Sequence, residues 1–221
     1  MNRPTGQVIK TWQFLNILAD HMEENIRVFG ISGSPRIGST DYAVKKALEY
    51  AEETYSVRTE YFSCHKKEVH FCIHCDYCVR KKQGCVFKDD MESVYQYLEW
   101  ADALLIGTPV YQGTLSGQIK VLLDRCRAVA ARDPAFFRHK VGAAIAVGGD
   151  RIGGQELAIQ AILNFYIISE MIPVGGGSFG ANLGGTFWSK DKGAEGVRKD
   201  EEGLRSLYRT VDRLVDVASR R

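Results

Sequence analysis

The run Ile26-Arg27-Val28-Phe29-Gly30-Ile31-Ser32, continued by Gly33-Ser34-Pro35-Arg36-Ile37-Gly38-Ser39-Thr40, decides the predicted fold. The first part is a short apolar run, typical of a buried parallel strand. The second part is rich in glycine and hydroxyl residues, and a helical pattern over 41–53 follows it. Strand, loop and helix in this order indicate a phosphate site, where backbone N–H groups and the positive end of the helix face an anion.

The spacing of this loop narrows the kind of phosphate that it suits. A Walker A loop requires Lys before its final Ser or Thr, and Ser39 stands at that position. A dinucleotide loop requires G-x-G-x-x-G, which Gly30, Gly33 and Gly38 do not match. We therefore predict a site for a terminal phosphate monoester, such as that of FMN; the alternative is an ordinary turn in which Ser39 or Thr40 caps the helix. The predicted phosphate contacts are Ser34, Arg36, Ser39 and Thr40.

Further apolar runs predict a parallel sheet whose loops meet at one edge. The turn over 109–114 offers an aromatic ring and backbone N–H groups, and the glycine-rich loop over 148–154 lets the backbone approach a ligand closely. Because ligands bind at the carboxyl ends of parallel strands, both loops are suited to line a flavin ring. Residues 175–200 predict a long loop, either a lid or a mobile surface segment. Strands are predicted over 57–62, 103–108, 141–147 and 172–174, and helices over 90–100, 116–131, 155–170 and 202–218.

Four of the six cysteines lie between Cys72 and Cys85 with the spacing C-x2-C-x2-C-x6-C. Three thiolates on one tight turn and a fourth from a short loop suit a [4Fe–4S] cluster. A structural zinc site usually has two separated pairs of ligands, but His70 and His74 leave a mixed zinc site open. Disulfides are a third alternative, disfavoured because no export signal is apparent. Cys64 is expected to be a bystander, and Cys126 a buried small hydrophobe. The predicted cluster ligands are Cys72, Cys75, Cys78 and Cys85.

The composition favours one domain with an appended arm. The chain has 221 residues, of which 45% are apolar and 25% charged. A net charge of +2 argues against a nucleic-acid binder, and the absence of a long apolar run argues against a membrane span and favours the cytoplasm. Residues 7–24 predict an amphipathic helix that packs on its own domain or on another subunit. Basic runs at 65–67 and 80–82 indicate either solvated surface or a docking patch for an acidic redox protein.

Four features together resemble the iron–sulfur flavoprotein family, a branch of the NADPH-dependent FMN reductase group with a flavodoxin-like fold. The resemblance covers roughly residues 26–180. The features are the loop from Gly33 to Thr40, the cysteine set with Val86 to Met91 after it, the turn Thr108-Pro109-Val110-Tyr111, and Leu122-Leu123-Asp124-Arg125.

This resemblance implies a flavodoxin-like, doubly wound, five-stranded parallel sheet with a compact cluster loop at 72–85. Residues 1–25 would then be an N-terminal helical extension and 26–221 the FMN-binding domain. The resemblance also implies FMN, one [4Fe–4S] cluster per subunit held by the four cysteines, and a homo-oligomer, either a dimer or a tetramer. By position, Ser34, Arg36, Ser39 and Thr40 would hold the FMN phosphate, Pro109, Val110, Tyr111, Gln112 and Gly113 would line the isoalloxazine ring, and Gly148, Gly149 and Asp150 would meet its polar edge.

The predicted function is that of an oxidoreductase that transfers electrons between a [4Fe–4S] cluster and FMN. The predicted partners are a ferredoxin-like donor or NAD(P)H and a small two-electron acceptor, with transfer between subunits. No general base or nucleophile is evident, so no catalytic side chain is assigned. Two alternatives stay open: an NAD(P)H-dependent FMN or quinone reductase with a structural zinc site, and a non-enzymatic redox sensor.

Overall fold

A computed structural model of the chain describes residues 26–220. These residues form a parallel sheet with helices on both faces. The strands are β1 (Arg27–Ser32), β2 (Arg58–Ser63), β3 (Ala103–Pro109), β4 (Val141–Gly148), β5 (Ile172–Pro173) and β6 (Gly185–Trp188). The helices are α1 (Ser39–Tyr55), α2 (Tyr77–Lys81), α3 (Met91–Trp100), α4 (Gly117–Arg125), α5 (Arg127–Arg132), α6 (Gln155–Ile168), α7 (Gly193–Arg198) and α8 (Glu201–Ala218).

The strand order β2-β1-β3-β4-β5 confirms the predicted doubly wound arrangement. All pairs of neighbouring strands are parallel. The position beyond β4 is filled in two pieces, because β5 pairs with Val141 and Gly142 while β6 pairs with Ile145 to Gly148. The sequence therefore predicted the five positions of the sheet, and the fifth position consists of two short strands.

Side chains along the central strands point alternately to the two faces of the sheet, and each face has its own hydrophobic core. On β1 and β3, Phe29 and Leu104 pack with one set of helices, while Val28 and Leu105 pack on the opposite face. Strands buried on both faces read as continuous apolar runs, and this property made them predictable from the sequence. The carboxyl ends of these strands consequently project their loops from one rigid edge.

Two predicted elements differ from the structure. The long loop predicted over 175–200 contains β6 and α7, whose short lengths give too few residues for a hydrophobic period to show. The helix predicted over 116–131 is divided at Cys126, whose N–H is shared between the carbonyls of Leu122 and Leu123, both at 3.1 Å. The shared hydrogen bond tightens the last turn of α4, and α5 begins at the next residue, Arg127.

The helix predicted over 7–24 and the boundary after residue 25 lie outside the described residues. Within the described range, no helix is long and apolar enough to cross a membrane.

Candidate functional site

A cavity of about 380 Å³ lies at the carboxyl edge of the sheet, among the loops that follow β1, β3 and β4. Two of these loops are fixed to each other, since the Ser116 hydroxyl donates to the Gly33 carbonyl at 2.8 Å. The Gly33 N–H in turn donates to the Gly107 carbonyl at 2.8 Å. The cavity brings together eight of the residues predicted from the sequence: Ser34, Arg36, Ser39, Thr40, Pro109, Val110, Tyr111 and Gly149.

The loop after β1 leaves the start of a long helix free for an anion. Helix α1 begins after Gly38, and no side chain caps it. The predicted alternative, in which Ser39 or Thr40 caps this helix, is therefore not the arrangement in the structure. Ser34 Oγ accepts a hydrogen bond from the backbone N–H of Arg36 at 3.1 Å, which fixes the turn before the helix. Uncapped N–H groups at the positive end of a helix favour binding of a phosphate.

The loop after β3 is a tight turn that presents Tyr111 to the cavity. Val110 N–H donates to the Val147 carbonyl at 2.9 Å, and Tyr111 and Thr114 exchange backbone hydrogen bonds at 3.0 and 3.2 Å. Between them, Gln112 and Gly113 both have positive φ, at 50° and 80°. Two left-handed central residues define a type I′ turn. Neither Gln112 nor Gly113 is among the residues that line the cavity.

In the loop after β4, Gly149 lines the cavity, whereas Gly148 and Asp150 do not. The Gly148 carbonyl accepts hydrogen bonds from the N–H and the hydroxyl of Ser189, at 2.9 and 3.0 Å. The Asp150 carbonyl accepts from Gln155 Nε2 at 2.6 Å. These two residues therefore use their backbone to fix the loop, and Gly149 between them faces the cavity.

The segment after β6 contributes cavity residues that the sequence did not predict. A Cβ added to Gly149 would lie 2.5 Å from Asp191 Oδ1, so this segment packs directly over the β4 loop. The sequence predicted residues 175–200 as either a lid or a mobile surface segment, and because β6 was not recognised, no residue of this segment was predicted to line the site. The lining residues from this segment are Ser189, Asp191 and Gly193. Three further lining residues, Ile37 and Gly38 in the loop after β1 and Val147 near the end of β4, were also not named from the sequence as site residues.

A wider and more open depression of about 680 Å³ is lined by Ile26, Asp212 and the neighbouring end of α8. Ile26 precedes β1, so this depression lies at the amino end of the strands. Ligands of open α/β sheets bind at the carboxyl ends instead. We therefore assign the smaller cavity as the candidate site.

The predicted cluster cysteines lie on what we call the cysteine loop, residues 71–88. All six cysteines of the chain are free thiols in the structure. His74 and Asp76 have positive φ values of 53° and 58°, which fold the chain into tight turns between Cys72 and α2, and Cys78 lies within α2. Cys78 is buried, Cys72 and Cys85 are half-buried, and Cys75 is exposed.

Positive charges border the cysteine loop. Asp76 lies between Cys75 and Cys78 in the chain, and its Oδ1 accepts a hydrogen bond from Arg127 Nη2 at 2.6 Å. The pKa of Arg127 is raised by this hydrogen bond and further by the nearby Cys78 and Cys72. This ion pair holds the middle of the cysteine loop against α5.

The remaining two cysteines behave as the sequence predicted. Cys64 and Cys126 are buried. Burial raises the pKa of each thiol to about 12. Both thiols are therefore protonated near neutral pH, and neither suits a metal ligand.

The donor set of the cysteine loop fits an iron–sulfur cluster in number and type, but the side chains are not arranged as a ligand group. Among residues 26–220, no three or more His, Cys, Asp or Glu side chains are placed to hold a metal ion. Four thiols on one anchored loop nevertheless match the four irons of a [4Fe–4S] cluster. Within residues 26–220, the side chains are likewise not arranged as a zinc site that includes His70 or His74.

The segment that leads from β2 to the cysteine loop is joined by hydrogen bonds to the end of β1 and to the loop after β1. Cys64 N–H, just after β2, donates to the carbonyl of Ser32 at the end of β1 at 2.9 Å. The next residue, His65, is 2.8 Å through its Nδ1 from the carbonyl of Pro35 in the phosphate loop. A carbonyl can only accept, so Nδ1 carries the proton in this contact. The segment leading to the cysteines is therefore attached to the phosphate loop.

The sheet order and the cavity at its carboxyl edge define a protein of the flavodoxin-like class. A WrbA-like flavodoxin from Agrobacterium tumefaciens superposes with a TM-score of 0.60 at 17% identity, over 89% of this chain and 98% of its own. RosB, solved with a bound intermediate, superposes with a TM-score of 0.67 at 17% identity, over 88% and 79% of the two chains. At these identities the likeness concerns the fold alone.

The sequence comparisons are more specific. The profile of the NADPH-dependent FMN reductase family matches residues 26–186. An iron–sulfur flavoprotein of Methanocaldococcus jannaschii is 60% identical over 87% of this chain and 96% of its own length. Another from Archaeoglobus fulgidus is 54% identical over 86% and 96%. The chain belongs to the iron–sulfur flavoprotein branch of the NADPH-dependent FMN reductase family, and it is a flavin-dependent redox protein.

Proposed function

We propose that the protein transfers electrons between a [4Fe–4S] cluster on the cysteine loop and FMN in the cavity at the sheet edge. The observation that carries the proposal is that the segment leading into the cysteine loop is hydrogen-bonded to the phosphate-binding side of the cavity. Cys64 bonds to Ser32 at the end of β1, and His65 bonds to Pro35 in the loop after β1. When bound, the cluster exchanges single electrons and FMN accepts one or two, so together they connect a one-electron donor to a two-electron acceptor.

The phosphate loop would bind and orient the FMN phosphate. The uncapped start of α1 supplies N–H donors and the positive end of the helix dipole. Arg36 is exposed at the rim and adds a guanidinium, while the hydroxyl groups of Ser39 and Thr40 supply further donors. These contacts would fix one end of the flavin and thereby the position of its ring. The proposed phosphate contacts are Ser34, Arg36, Ser39 and Thr40.

The loops after β3 and β4 would position the isoalloxazine ring. Pro109, Val110 and Tyr111 line one side of the cavity, and Gly149 lines the other. A glycine at position 149 lets the backbone approach the ring, and a side chain there would collide with Asp191. Gln112, Gly113, Gly148 and Asp150 would act through the backbone of the same loops.

On the cysteine loop, Cys72, Cys75, Cys78 and Cys85 would bind the cluster as thiolates. Metal binding commonly completes the folding of its own ligand loop, and the exposed position of Cys75 is consistent with such a step. No side chain is proposed as a general acid or base, because the electron-transfer chemistry belongs to the cofactors. The residues of this chain hold the cofactors and exclude water.

The cysteine loop also exposes apolar side chains, which indicates a contact with a partner. Phe71 is 68% exposed and Ile73 is 53% exposed, and Val79 and Val86 are exposed as well. Exposed apolar residues grouped in one short segment are typical of protein interfaces. We propose that the loop of one subunit contacts another copy of the chain, within a homo-oligomer, and that a ferredoxin-like protein or NAD(P)H supplies the electrons. A fully active monomer, identified by light scattering, would contradict transfer between subunits.

Anaerobic purification with an absorption spectrum and analysis of iron, sulfide and zinc tests the proposal. We expect flavin bands over a broad shoulder, with about four iron and four sulfide per subunit. Flavin with one zinc and no sulfide would overturn the electron relay in favour of a reductase with a structural metal. Reduction of the bound flavin by reduced ferredoxin and by NADPH, compared in separate assays, identifies the donor.

A further inference from the structure

Arg125, at the end of α4, joins the two ends of the cysteine loop. Its Nη1 donates to the His70 carbonyl and to Asp89 Oδ2, both at 2.7 Å. Its Nη2 donates to Asp89 Oδ1 at 3.0 Å. Asp89 Oδ2 also accepts from the His70 backbone N–H at 3.0 Å. The residue before the loop and the residue after it therefore meet at one guanidinium.

This ion pair is buried. The side chain of Arg125 is 1% exposed and that of Asp89 is 5% exposed. Burial raises the pKa of Asp89, but the hydrogen bonds from Arg125 and from the backbone N–H groups of His70 and Met91, together with the Arg125 charge, outweigh burial and hold that pKa below its usual range. Both groups are therefore charged near neutral pH. Removal of either partner would leave an uncompensated buried charge between the ends of the loop.

A second pair of contacts closes the loop just outside this ion pair. Glu68 N–H donates to Asp90 Oδ2 at 2.9 Å, and Asp90 N–H donates to the Glu68 carbonyl at 3.1 Å. The ring of Phe87 stacks on that of His70 at 4.8 Å, and Arg125 lies over Phe87 at 5.4 Å. Both ends of the loop are thus fixed by the fold.

One donor of Arg125 has no partner. Among the described residues, Nε of Arg125 is one of two buried side-chain polar atoms without a hydrogen bond. Buried donors are rarely left unpaired in folded proteins. Burial lowers the pKa of Arg125, but Asp89, Tyr95 and Cys85 together raise it above its ordinary value. The guanidinium also lies 5.4 Å from the ring of Phe87, at the end of the loop that carries Cys85. Hydrogen bonds and charge near the sulfur atoms are factors that set cluster potentials.

We propose that Arg125 is the positioning residue of the cysteine loop. It closes the loop so that the four cysteines reach one cluster, and it keeps a positive charge and an unpaired N–H donor at the end of the loop that carries Cys85. The inference rests on the proposed function. Loss of the positive charge would disfavour the reduced, more negative cluster, so the cluster potential would fall.

Three variants separate the roles of shape and charge. Arg125→Lys keeps the charge and loses the fork that holds Asp89 and His70 together. Arg125→Gln removes the charge. Asp89→Asn changes the other partner and serves where a change at Arg125 prevents folding. Arg138→Lys is the matched control, because Arg138 forms an exposed ion pair with Glu170 at 2.6 Å.

Each purified protein is reconstituted anaerobically with iron and sulfide. Iron, sulfide and FMN per subunit, the electron paramagnetic resonance spectrum and the cluster midpoint potential are then measured. We expect Arg125→Lys and Asp89→Asn to bind FMN like the wild type but to hold at most half of its cluster content. In the clusters that Arg125→Gln retains, we expect the reduction equilibrium to shift about tenfold, which is about 59 mV lower for a one-electron couple. Arg138→Lys should match the wild type in every measurement.

The outcomes distinguish this inference from the proposed function. A wild-type protein that takes up no iron and sulfide overturns both. A wild type with a full cluster, together with unchanged cluster content in Arg125→Lys and Asp89→Asn, overturns the role of Arg125 alone. Parallel loss of FMN and cluster in the same variants would indicate general destabilisation and would also overturn the positioning role.

Discussion

The cavity at the sheet edge and the cysteine loop are built in different ways, although they arise from neighbouring strands. In the cavity, the ligand-facing groups are backbone and short side chains on loops that hydrogen-bond to each other, as Ser116 does to Gly33. In the cysteine loop, the ends are fixed at Arg125 and Asp89 and the middle at the ion pair of Arg127 with Asp76, but the thiols do not form a ligand group in the described residues.

This difference follows from the nature of the two kinds of ligand. A phosphate is bound by N–H groups whose directions are set once the strand and helix are formed. A metal cluster is bound by side chains on a loop, and metal binding itself contributes to the folding of that loop. The cavity is therefore expected to be present before its ligand, and the cysteine loop to be completed by its cluster.

Loss of a single loop cysteine tests this contrast most strongly. Cys75 is exposed, so Cys75→Ser removes one thiolate without disturbing the core. We expect cluster content to fall at least about tenfold, because each iron of the cubane needs its own thiolate. FMN content and the thermal midpoint of the apoprotein should not change, because the cavity forms independently of the loop. Iron, sulfide and flavin analysis measures both sites in one sample.

Cys126→Ala is the matched control for this variant. Cys126, between α4 and α5, is buried in the core and is not one of the four cysteines of the loop, and burial raises the pKa of its thiol to about 12. We expect the cluster to be retained, with a stability loss of about 1 kcal/mol for the smaller side chain. If Cys75→Ser also lost its FMN, the cavity would depend on the cysteine loop and the contrast would be wrong.

The phosphate end of the cavity is tested by Thr40→Val, which removes a hydroxyl group and keeps the shape. Hydrogen bonds to charged groups contribute about 1.5–3 kcal/mol, so FMN should bind roughly tenfold more weakly or worse. Riboflavin lacks the phosphate, and its affinity should not change. Titration of the apoprotein with each flavin, followed by fluorescence, gives the two dissociation constants.

Thr210→Val makes the same chemical change away from the cavity. The Thr210 hydroxyl donates to the Ser206 carbonyl within α8 at 2.7 Å. This variant should bind both flavins like the wild type. An equal loss of FMN and riboflavin affinity in Thr40→Val would show that Thr40 does not contact the phosphate.

The sequence predicted those parts of the fold and the cavity that depend on local pattern. The buried strands gave continuous apolar runs, and the loop from Gly33 to Thr40 gave the order of strand, phosphate loop and helix. The comparisons then confirmed the family that the sequence motifs indicated. Local pattern was sufficient here because each of these features lies within one short segment.

Features that depend on long-range contacts were not predictable in this way. Asp191 reaches the cavity only because the four residues of β6 pair with β4. Four residues are too few to show the alternation of apolar and polar side chains that identifies a strand in a sequence. Arg125 meets Asp89 and the His70 carbonyl across 36 and 55 residues of chain. No spacing within a single segment indicates contacts at such separations.

The packing of the segment after β6 over Gly149 gives the smallest and most local test. A Cβ at Gly149 would lie 2.5 Å from Asp191 Oδ1, whereas a Cβ at Gly153 would meet only ordinary contacts, the nearest at 3.5 Å. Gly149 and Gly153 belong to the same loop, and neither has a left-handed φ, so the substitutions differ in local space rather than in backbone strain. Gly149→Ala and Gly153→Ala therefore form a matched pair.

The Asp191 carboxylate is the end of a side chain and is able to move, so the lower part of the usual overpacking range of about 1–3 kcal/mol applies to Gly149→Ala. We expect its affinity for FMN and for riboflavin to fall about fivefold, corresponding to about 1 kcal/mol, because the altered wall of the cavity lies away from the phosphate. Gly153→Ala should bind both flavins unchanged. Adding Asp191→Ala to Gly149→Ala removes the collision and should recover most of the lost affinity. If the double variant binds no better than Gly149→Ala, the Asp191 carboxylate is not what limits the space at Gly149, and the segment after β6 does not shape the cavity in the way that its packing indicates.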